Sequence, residues 1–221
     1  MPDVLPNPLP NVFVVDDDVS VHASVAGLLQ NEALRVTGFR NAREFLAHSR
    51  PAAPCCLVLD VGLPDLDGLE LQARVAQEHA EMPVIFIANC RDIRTAVRAM
   101  KAGALEFLSK PFDASDLIRA IGNAIDRSRT TLARQAVLRA LQARHESLTE
   151  REREVMALVT GGRMNKEVGG ELGISEITVK AHRGRVMRKM QAPSLVHLVD
   201  MARRLGMPPL PGRRAGPASR V

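Results

Sequence analysis

The sequence predicts an α/β fold, a doubly wound five-stranded parallel sheet, followed by a small all-α domain that a long helix joins to it. Short apolar runs alternate with segments of helical periodicity between residues 11 and 127, whereas only helical patterns follow. The charge also divides the chain. Residues 1–126 carry 11 basic and 17 acidic side chains, and residues 127–221 carry 19 and 8. This asymmetry indicates two domains with different partners, the basic one suited to a polyanion such as DNA.

Five short apolar runs mark the predicted strands. They are NVFVV (11–15), LRVTGF (34–39), CCLVLD (55–60), PVIFIA (83–88) and LEFLS (105–109). Apolar runs without alternation are typical of parallel strands that are buried on both faces.

Between these runs, apolar residues recur at helical spacing. The series are Val21, Val25, Leu28 and Leu29, then Leu69, Val75 and Ala76, then Ile93, Val97 and Met100. Helices that alternate with parallel strands cover both faces of the sheet, which favours a doubly wound arrangement.

Charged residues follow three of the predicted strands at the point where each strand ends. Asp16 and Asp17 follow the first, Asp60 ends the third, and Lys110 follows the fifth. Ligands of such sheets bind at the carboxyl ends of the strands, so these side chains should converge there. Carboxylates with a phosphate oxygen and water suit Mg²⁺. The pattern therefore predicts a site that receives a phosphoryl group.

The order of these motifs resembles that of the receiver domain of two-component response regulators, over residues 11–127, and this resemblance implies a flavodoxin-like fold. The resemblance implies that Asp60 is the phosphoacceptor and that Lys110 holds the phosphoryl oxygens. It further implies an Mg²⁺ site and a switch residue. The Mg²⁺ ligands would be Asp17, Asp16 (directly or through water), Asp60 and the Gly62 carbonyl. The aromatic switch residue would be Phe107.

The sequence departs from the family pattern at the end of the fourth strand. The family places Thr or Ser there, and its hydroxyl bonds the phosphoryl group. This chain has Ala88, and the closest polar side chain is Asn89. The departure concerns how phosphorylation is coupled to the rest of the protein.

The acidic residues near this site also admit other interpretations. Asp18 suits a turn or helix start, and Asp65 and Asp67 suit loop and helix-cap positions. The stretch DDDVS also contains the Asp-x-Asp of haloacid-dehalogenase-type phosphatases, with Asp16 as nucleophile. That alternative needs an acidic pair after a further strand, and no such strand with its pair follows Lys110. It also leaves Asp60 without a role.

A long helical pattern connects the two predicted domains. Leu117, Ile121 and Ile125 keep helical spacing, and the apolar stripe continues at Leu132, Leu138 and Leu141. We expect the last receiver helix to run into a helical linker over residues 128–146. The stripe is compatible with pairing to a second copy and equally with packing on its own domain.

Three helices with recognisable caps follow. Thr149 and Glu152 form a capping box that opens a helix ending near Thr160. Asn165 is predicted to cap a short helix that ends at Leu172, and Gly173 makes a turn. Ser175 then caps a helix to about Met190, which completes a helix-turn-helix.

This region resembles the LuxR-type DNA-binding domain of the FixJ/NarL subfamily over residues 147–205, in the motifs LTERE, NKE, LGIS, TVK and HR through VMRKM. The resemblance implies that Lys180 and Ala181 face bases. It places a further set near phosphates or base edges: His182, Arg183, Arg185, Arg188 and Lys189. Gly184 stands where some relatives carry a longer side chain. Gly169 and Gly170 inside the second helix are a departure that would weaken it.

The remaining features of the sequence indicate the cellular compartment of the protein. No apolar run is long enough to span a bilayer, and the Pro-rich N-terminus lacks signal-peptide features. Cys55, Cys56 and Cys90 match no metal or disulfide pattern and are expected to be buried, reduced thiols. We expect residues 1–10 and 206–221 to be disordered and the protein to be cytoplasmic, with no membrane partner.

Together these patterns predict a phosphorylation-controlled transcription regulator rather than an enzyme. The implied partners are double-stranded DNA, a sensor histidine kinase, a second copy of the chain upon phosphorylation, and RNA polymerase. A regulator that binds DNA without phosphorylation remains the alternative.

Overall fold

The computed structural model describes residues 9–49, 52–89 and 93–207. The chain forms two compact units, Met1–Ala133 and Arg134–Val221. The division falls inside the predicted linker. Most of the two predicted disordered ends, residues 1–8 and 208–221, lies outside the described residues, as does Cys90.

The first unit contains a five-stranded parallel sheet in the order β2-β1-β3-β4-β5, as predicted. Its elements are β1 (Asn11–Val15), α1 (Val19–Leu28), β2 (Arg35–Phe39), α2 (Ala42–Ala47), β3 (Cys55–Asp60), α3 (Gly68–Glu78), β4 (Val84–Ala88), α4 (Ile93–Lys101), β5 (Glu106–Ser109) and the first part of α5 (Ala114–Glu146). In this order the chain reverses direction across the sheet between β1 and β3. A ligand crevice forms at such a switch point, outside the carboxyl ends of the strands.

Both faces of the sheet are buried, which explains the uninterrupted apolar runs. Phe13 and Phe86 point to one face and pack with Phe45 of α2 and residues of α3. Val14 and Ile85 point to the other face, where α1 and the first part of α5 cover them. Since successive strand residues point to opposite faces, each strand needs apolar residues at every position.

Helix α4 forms as its spacing predicts, but the apolar residues that identified it are exposed. Ile93, Val97 and Met100 are 77%, 44% and 45% exposed, whereas Ala99 is fully buried against the sheet. The helix packs through this small residue and leaves its larger side chains on the outer face.

Helix α5 is continuous over the predicted last receiver helix and linker. Its first part is buried in the first unit, where the Ser128 hydroxyl accepts a hydrogen bond of 3.0 Å from the Cys55 amide. Val137 and Leu138 are exposed, and Leu141 is buried in the core of the second unit. The stripe therefore packs on its own domain only in part.

The second unit continues with α6 (Glu150–Thr160), α7 (Asn165–Leu172), α8 (Glu176–Met190) and α9 (Leu195–Arg204). The Thr149–Glu152 capping box, the Ser175 cap and the left-handed Gly173 are all present, as predicted. Asn165 is not the cap of α7, and that prediction is wrong. Met164 occupies the cap position, and its amide donates to the Glu167 carboxylate at 2.9 Å.

The two glycines inside α7 have different surroundings. A Cβ added at Gly169 would lie 2.7 Å from the Ile174 carbonyl oxygen, and the Ile174 amide donates to the Gly169 carbonyl at 3.0 Å. Nothing lies within 4 Å of a Cβ added at Gly170. Gly169 is therefore required, because the turn before α8 approaches it too closely for a side chain. Gly170 has no such constraint, so it only lowers the stability of the helix.

We expect Gly169→Ala to lower the free energy of unfolding by about 1–3 kcal/mol, because the turn must shift to relieve the overlap. Gly170→Ala is the matched control and should raise it by about 0.5–1 kcal/mol through helix propensity. Urea denaturation followed by far-UV circular dichroism measures both. Equal effects of the two substitutions would contradict this account.

Candidate phosphorylation site and nucleic-acid interface

Three predicted site residues meet at the carboxyl edge of the sheet. The Lys110 Nζ donates to Asp16 Oδ2 at 2.6 Å and to Asp60 Oδ1 at 2.9 Å. Asp16 follows β1, Asp60 ends β3 and Lys110 follows β5, so the parallel register alone brings them together. They line an open cleft of about 510 Å³.

The cluster of Asp16, Asp60 and Lys110 carries a net negative charge. Asp16 is fully buried, and the side chains of Lys110 and Asp60 are 14% and 10% exposed. Burial acts to lower the pKa of Lys110, but its hydrogen bonds and charge interactions with Asp16 and Asp60 outweigh burial and raise it. The lysine therefore stays charged. Asp17 and Asp18 also line the cleft, so its carboxylates outnumber its one ammonium, and a divalent cation would balance negative charge there.

The residues present fit Mg²⁺ in their donor chemistry. Among the described residues no cluster of three His, Cys, Asp or Glu side chains forms a cage for a metal. Mg²⁺ seldom uses such a cage, since it binds through one or two carboxylates, water and phosphate oxygens. Asp17 and Gly62 line the cleft beside Asp60, and the Gly62 amide donates to Asp60 Oδ2 at 2.6 Å.

The other acidic residues near the cleft serve as caps. Asp18 caps α1 and Asp67 caps α3, as their positions predicted. Asp65 instead accepts hydrogen bonds from the amides of Ala42 and Arg43, at 3.1 and 3.0 Å, at the start of α2. Burial acts to raise the pKa of Asp65, but these hydrogen bonds lower it overall. Asp65 thus ties the loop after Asp60 to a helix that precedes it in the chain.

The residues predicted to transmit phosphorylation lie on neighbouring strands. Ala88 ends β4, is 2% exposed and lines the cleft. Phe107 on β5 is half-buried and packs on Phe86, with ring centroids 6.2 Å apart. Within the described residues that line the cleft, Asn89 is the polar side chain beside Ala88, and neither residue carries a hydroxyl.

The predicted DNA contacts lie on α8, where four of them are exposed: Lys180, Ala181, Arg185 and Arg188. The Lys180 ammonium lies 3.3 Å from the Glu176 carboxylate, one turn earlier. An exposed pair of this kind is weak, so Lys180 can leave it to contact a base.

His182 and Arg183 are half-buried. The Arg183 guanidinium donates to the Asn165 side chain at 3.3 Å, which gives Asn165 a role other than the predicted cap. The pair links α8 to the start of α7.

Lys189, a further predicted DNA contact, is half-buried and makes its observed contacts within the domain. Its ammonium donates to the Ser147 carbonyl at 3.0 Å and to Glu152 Oε2 at 2.6 Å, and Glu152 is almost fully buried. Lys189 therefore holds α8 against the start of α6 and the end of α5. The capping box revealed Glu152 in the sequence, but nothing local indicated its partner.

Comparisons with known proteins identify both domains. The family described as "Response regulator receiver domain" matches residues 12–122, and that described as "Bacterial regulatory proteins, luxR family" matches residues 146–202. Nodulation protein W of Bradyrhizobium diazoefficiens is 46% identical over 196 residues, covering 89% of this chain and 86% of that protein. The chain belongs to the response regulators.

Two further relatives match most of this chain. Transcriptional regulatory protein FixJ of Bradyrhizobium diazoefficiens is 38% identical over 197 residues, covering 89% of this chain and 96% of that protein. The solved structure of response regulator StyR superposes with a TM-score of 0.78 at 42% identity, covering 88% of this chain and 98% of that one. This response regulator thus joins a receiver domain to a LuxR-type DNA-binding domain, as predicted. No helix within its described residues is long and apolar enough to cross a membrane.

The ion pair of Glu152 should make the stability of this response regulator depend on pH. The hydrogen bond from Lys189 outweighs burial and lowers the pKa of Glu152. The resulting stability is present above the ordinary glutamate pKa of about 4.3 and is lost as the pH falls through the lower, folded-state value.

We expect Glu152→Gln to lower stability at neutral pH and to reduce the loss of stability on acidification. Glu150→Gln, an exposed first-turn acid of the same helix, is the control and should change little. Urea denaturation curves between neutral pH and about pH 3 compare the variants around the glutamate range. An unchanged acid dependence in Glu152→Gln would refute the assigned pair.

Proposed function

We propose that Asp60 of this response regulator accepts a phosphoryl group from a sensor histidine kinase, and that the modification controls promoter binding by α8. The observation that carries the proposal is the Lys110 ammonium, held between the carboxylates of Asp16 and Asp60 in an open cleft. A fixed cation beside a partly exposed carboxylate suits transfer of an anionic group to that carboxylate.

The transfer is a substitution at phosphorus. A carboxylate oxygen of Asp60 forms the new O–P bond as the N–P bond of the kinase phosphohistidine breaks, and the bonding pair and a proton remain with the imidazole. Lys110, already 2.9 Å from Asp60 Oδ1, offers its charge to the transferred oxygens. Mg²⁺ held by Asp17, Asp60 and the Gly62 carbonyl, with Asp16 directly or through water, would neutralise phosphoryl charge when bound.

The phosphohydrolase alternative gains no support from the site. Its nucleophile would be Asp16, which is fully buried and bonded to Lys110. The second acid of its motif, Asp18, is occupied as the cap of α1, where its side chain accepts from the Ser20 amide at 2.8 Å. The Asp60 side chain is more accessible from the cleft than that of Asp16.

We expect a small phosphodonor with Mg²⁺ to produce an acid-labile phosphoryl adduct on the whole protein, detected by intact-mass spectrometry. Asp60→Asn should abolish the adduct. Asp67→Asn, in the same loop, should retain it, because asparagine caps a helix as well as aspartate does. An adduct that persists in Asp60→Asn, or steady donor turnover without an adduct, would overturn the proposal.

The outer face of α4 is the proposed contact with a second copy after phosphorylation. Ile93, Val97 and Met100 form an exposed apolar surface, and Arg98 and Lys101 add positive charge. Next to them, β5 and the start of α5 carry Glu106 and Asp116, both near Arg119. A two-fold contact would bring the basic part of each copy to the acidic part of the other. Phe107 follows Glu106, so the switch residue adjoins this surface.

The coupling between Asp60 and that surface is proposed to be weak in this chain. Ala88 cannot donate to a phosphoryl oxygen, so phosphorylation lacks a charge-assisted hydrogen bond that is worth about 1.5–3 kcal/mol in typical cases. Ala88 also leaves less bulk in the way of Phe107. A bias of about 1.4 kcal/mol changes a two-state ratio tenfold. We therefore infer appreciable activity without phosphorylation and a modest gain with it.

Ala88→Thr should lower the basal dimerisation and DNA affinity and increase the gain caused by phosphodonor. Analytical ultracentrifugation and DNA titrations, with and without phosphodonor, compare the variant with the natural protein. Ala88→Val is the control for bulk without a hydroxyl and should lower the basal activity without restoring the gain. If the ratio of activity with phosphodonor to activity without it is the same in all three proteins, Ala88 does not set the coupling.

The proposed partner of the second domain is duplex DNA, bound with α8 in the major groove. Lys180 and Ala181 would face base edges, and Arg183, Arg185 and Arg188, with His182, would lie near phosphates or base edges. The net charge of residues 127–221, which carry 19 basic and 8 acidic side chains, favours such a polyanion. RNA polymerase would be the partner whose use of the promoter the bound dimer alters.

We expect Lys180→Ala to change which sequences are preferred, since base contacts specify, and Arg188→Ala to weaken all sequences alike, since phosphate contacts position. Selection from a random duplex library and affinity measurements at several salt concentrations separate the two. The slope of log affinity against log salt concentration should decrease in magnitude by about one for Arg188→Ala. A uniform loss from Lys180→Ala, with unchanged preference, would contradict its assigned role.

A further inference from the structure

Ile177, the second residue of α8, is 80% exposed. No other large apolar side chain that the structure describes is more exposed. The core positions of the same helix are Val179, Val186 and Met190, all of which are buried. Ile177 thus contributes little to the core, and its large apolar surface remains available to a partner.

The surroundings of Ile177 indicate which partner this is. On a helix, the residues at i+3, i+4 and i+7 share its face, and here they are Lys180, Ala181 and Gly184, all exposed. Ala181 and Gly184 carry little or no side chain, so Ile177 and Lys180 project beyond them. Arg185 and Arg188, exposed further along the helix, supply positive charge that complements a phosphate backbone.

The chemistry of the major groove offers one apolar group on the base edges, the C5-methyl of thymine. The N-terminal residues of a recognition helix are those that contact base edges. Ile177 lies in that first turn and its side chain cannot form a hydrogen bond. We infer that Ile177 packs against a thymine methyl in the target DNA and is a specificity-determining residue of this protein. The inference rests on the proposed binding of α8 to duplex DNA.

The test removes the methyl group from the DNA and the apolar side chain from the protein. Full-length protein, treated with phosphodonor and Mg²⁺, first selects its preferred duplex from a random library. Each thymine of that duplex is then replaced by uracil, which lacks only the methyl. We expect at least one position where uracil weakens binding by about four-fold, the loss of one buried methyl group.

Ile177→Ser should bind the thymine and uracil duplexes equally at that position, because serine cannot replace the apolar contact. Serine and isoleucine have similar helix propensities, and the residue is exposed, so the fold should be retained. Val196→Ser is the matched control. Val196 is 77% exposed on α9, and this substitution should leave the thymine-to-uracil ratio unchanged.

The outcomes separate the inference from the function on which it rests. Selective binding without any uracil penalty, or with the same penalty in Ile177→Ser, overturns the inference and leaves DNA binding intact. That result would assign the exposed isoleucine to a protein partner instead. Failure to select any sequence overturns base recognition by α8 and the inference with it.

Discussion

The buried carboxylate of Asp16 constrains how the receiver domain can fold. A charge without exposure to water is costly unless it is paired and hydrogen-bonded, and Lys110 together with the Asp18 amide satisfies this need. Lys110 lies 94 residues later in the chain. Loss of one partner of such a buried pair typically costs about 3–5 kcal/mol. The pair can form only when β1, β3 and β5 end at one edge, so the same interaction supports the sheet and assembles the site.

The second domain depends on the same physical principle. Glu152 accepts hydrogen bonds from the Thr149 amide and from Lys189, so one buried carboxylate caps α6 and fixes α8. Lys189 also donates to the Ser147 carbonyl, at the end of the linker helix. These contacts hold the recognition helix against α6 and the end of the linker helix. Lys180, Ala181 and Ile177 are exposed and remain outside the core.

The features to which we assign a regulatory role contribute little to the stability of the fold. The core would be complete without the exposed side chains of Ile93 and Val97, and α4 packs through Ala99 instead. The methyl side chain of Ala88 fills its place at the end of β4 and makes no polar interaction there. Surfaces and positions of this kind respond to partners because they contribute little to folding, and small differences in free energy suffice to shift them.

The sequence by itself determined the features that are encoded within a few residues. The strands, the order of the charged strand ends, and the caps at Thr149, Asp67 and Ser175 follow from local periodicity and side-chain chemistry. The meeting of Asp16, Asp60 and Lys110 also followed, because parallel strands end at a common edge.

Only the tertiary structure decided the contacts between distant residues. Lys189 donates a hydrogen bond to Glu152, which lies 37 residues earlier in the chain. Asp65 accepts a hydrogen bond from the first residue of a helix that begins 23 residues before it. The need for Gly169 arises from the turn that folds back on it. Which face α4 buries depends on the space left by the sheet and not on its own pattern. Such outcomes depend on distances between elements, which local sequence does not specify.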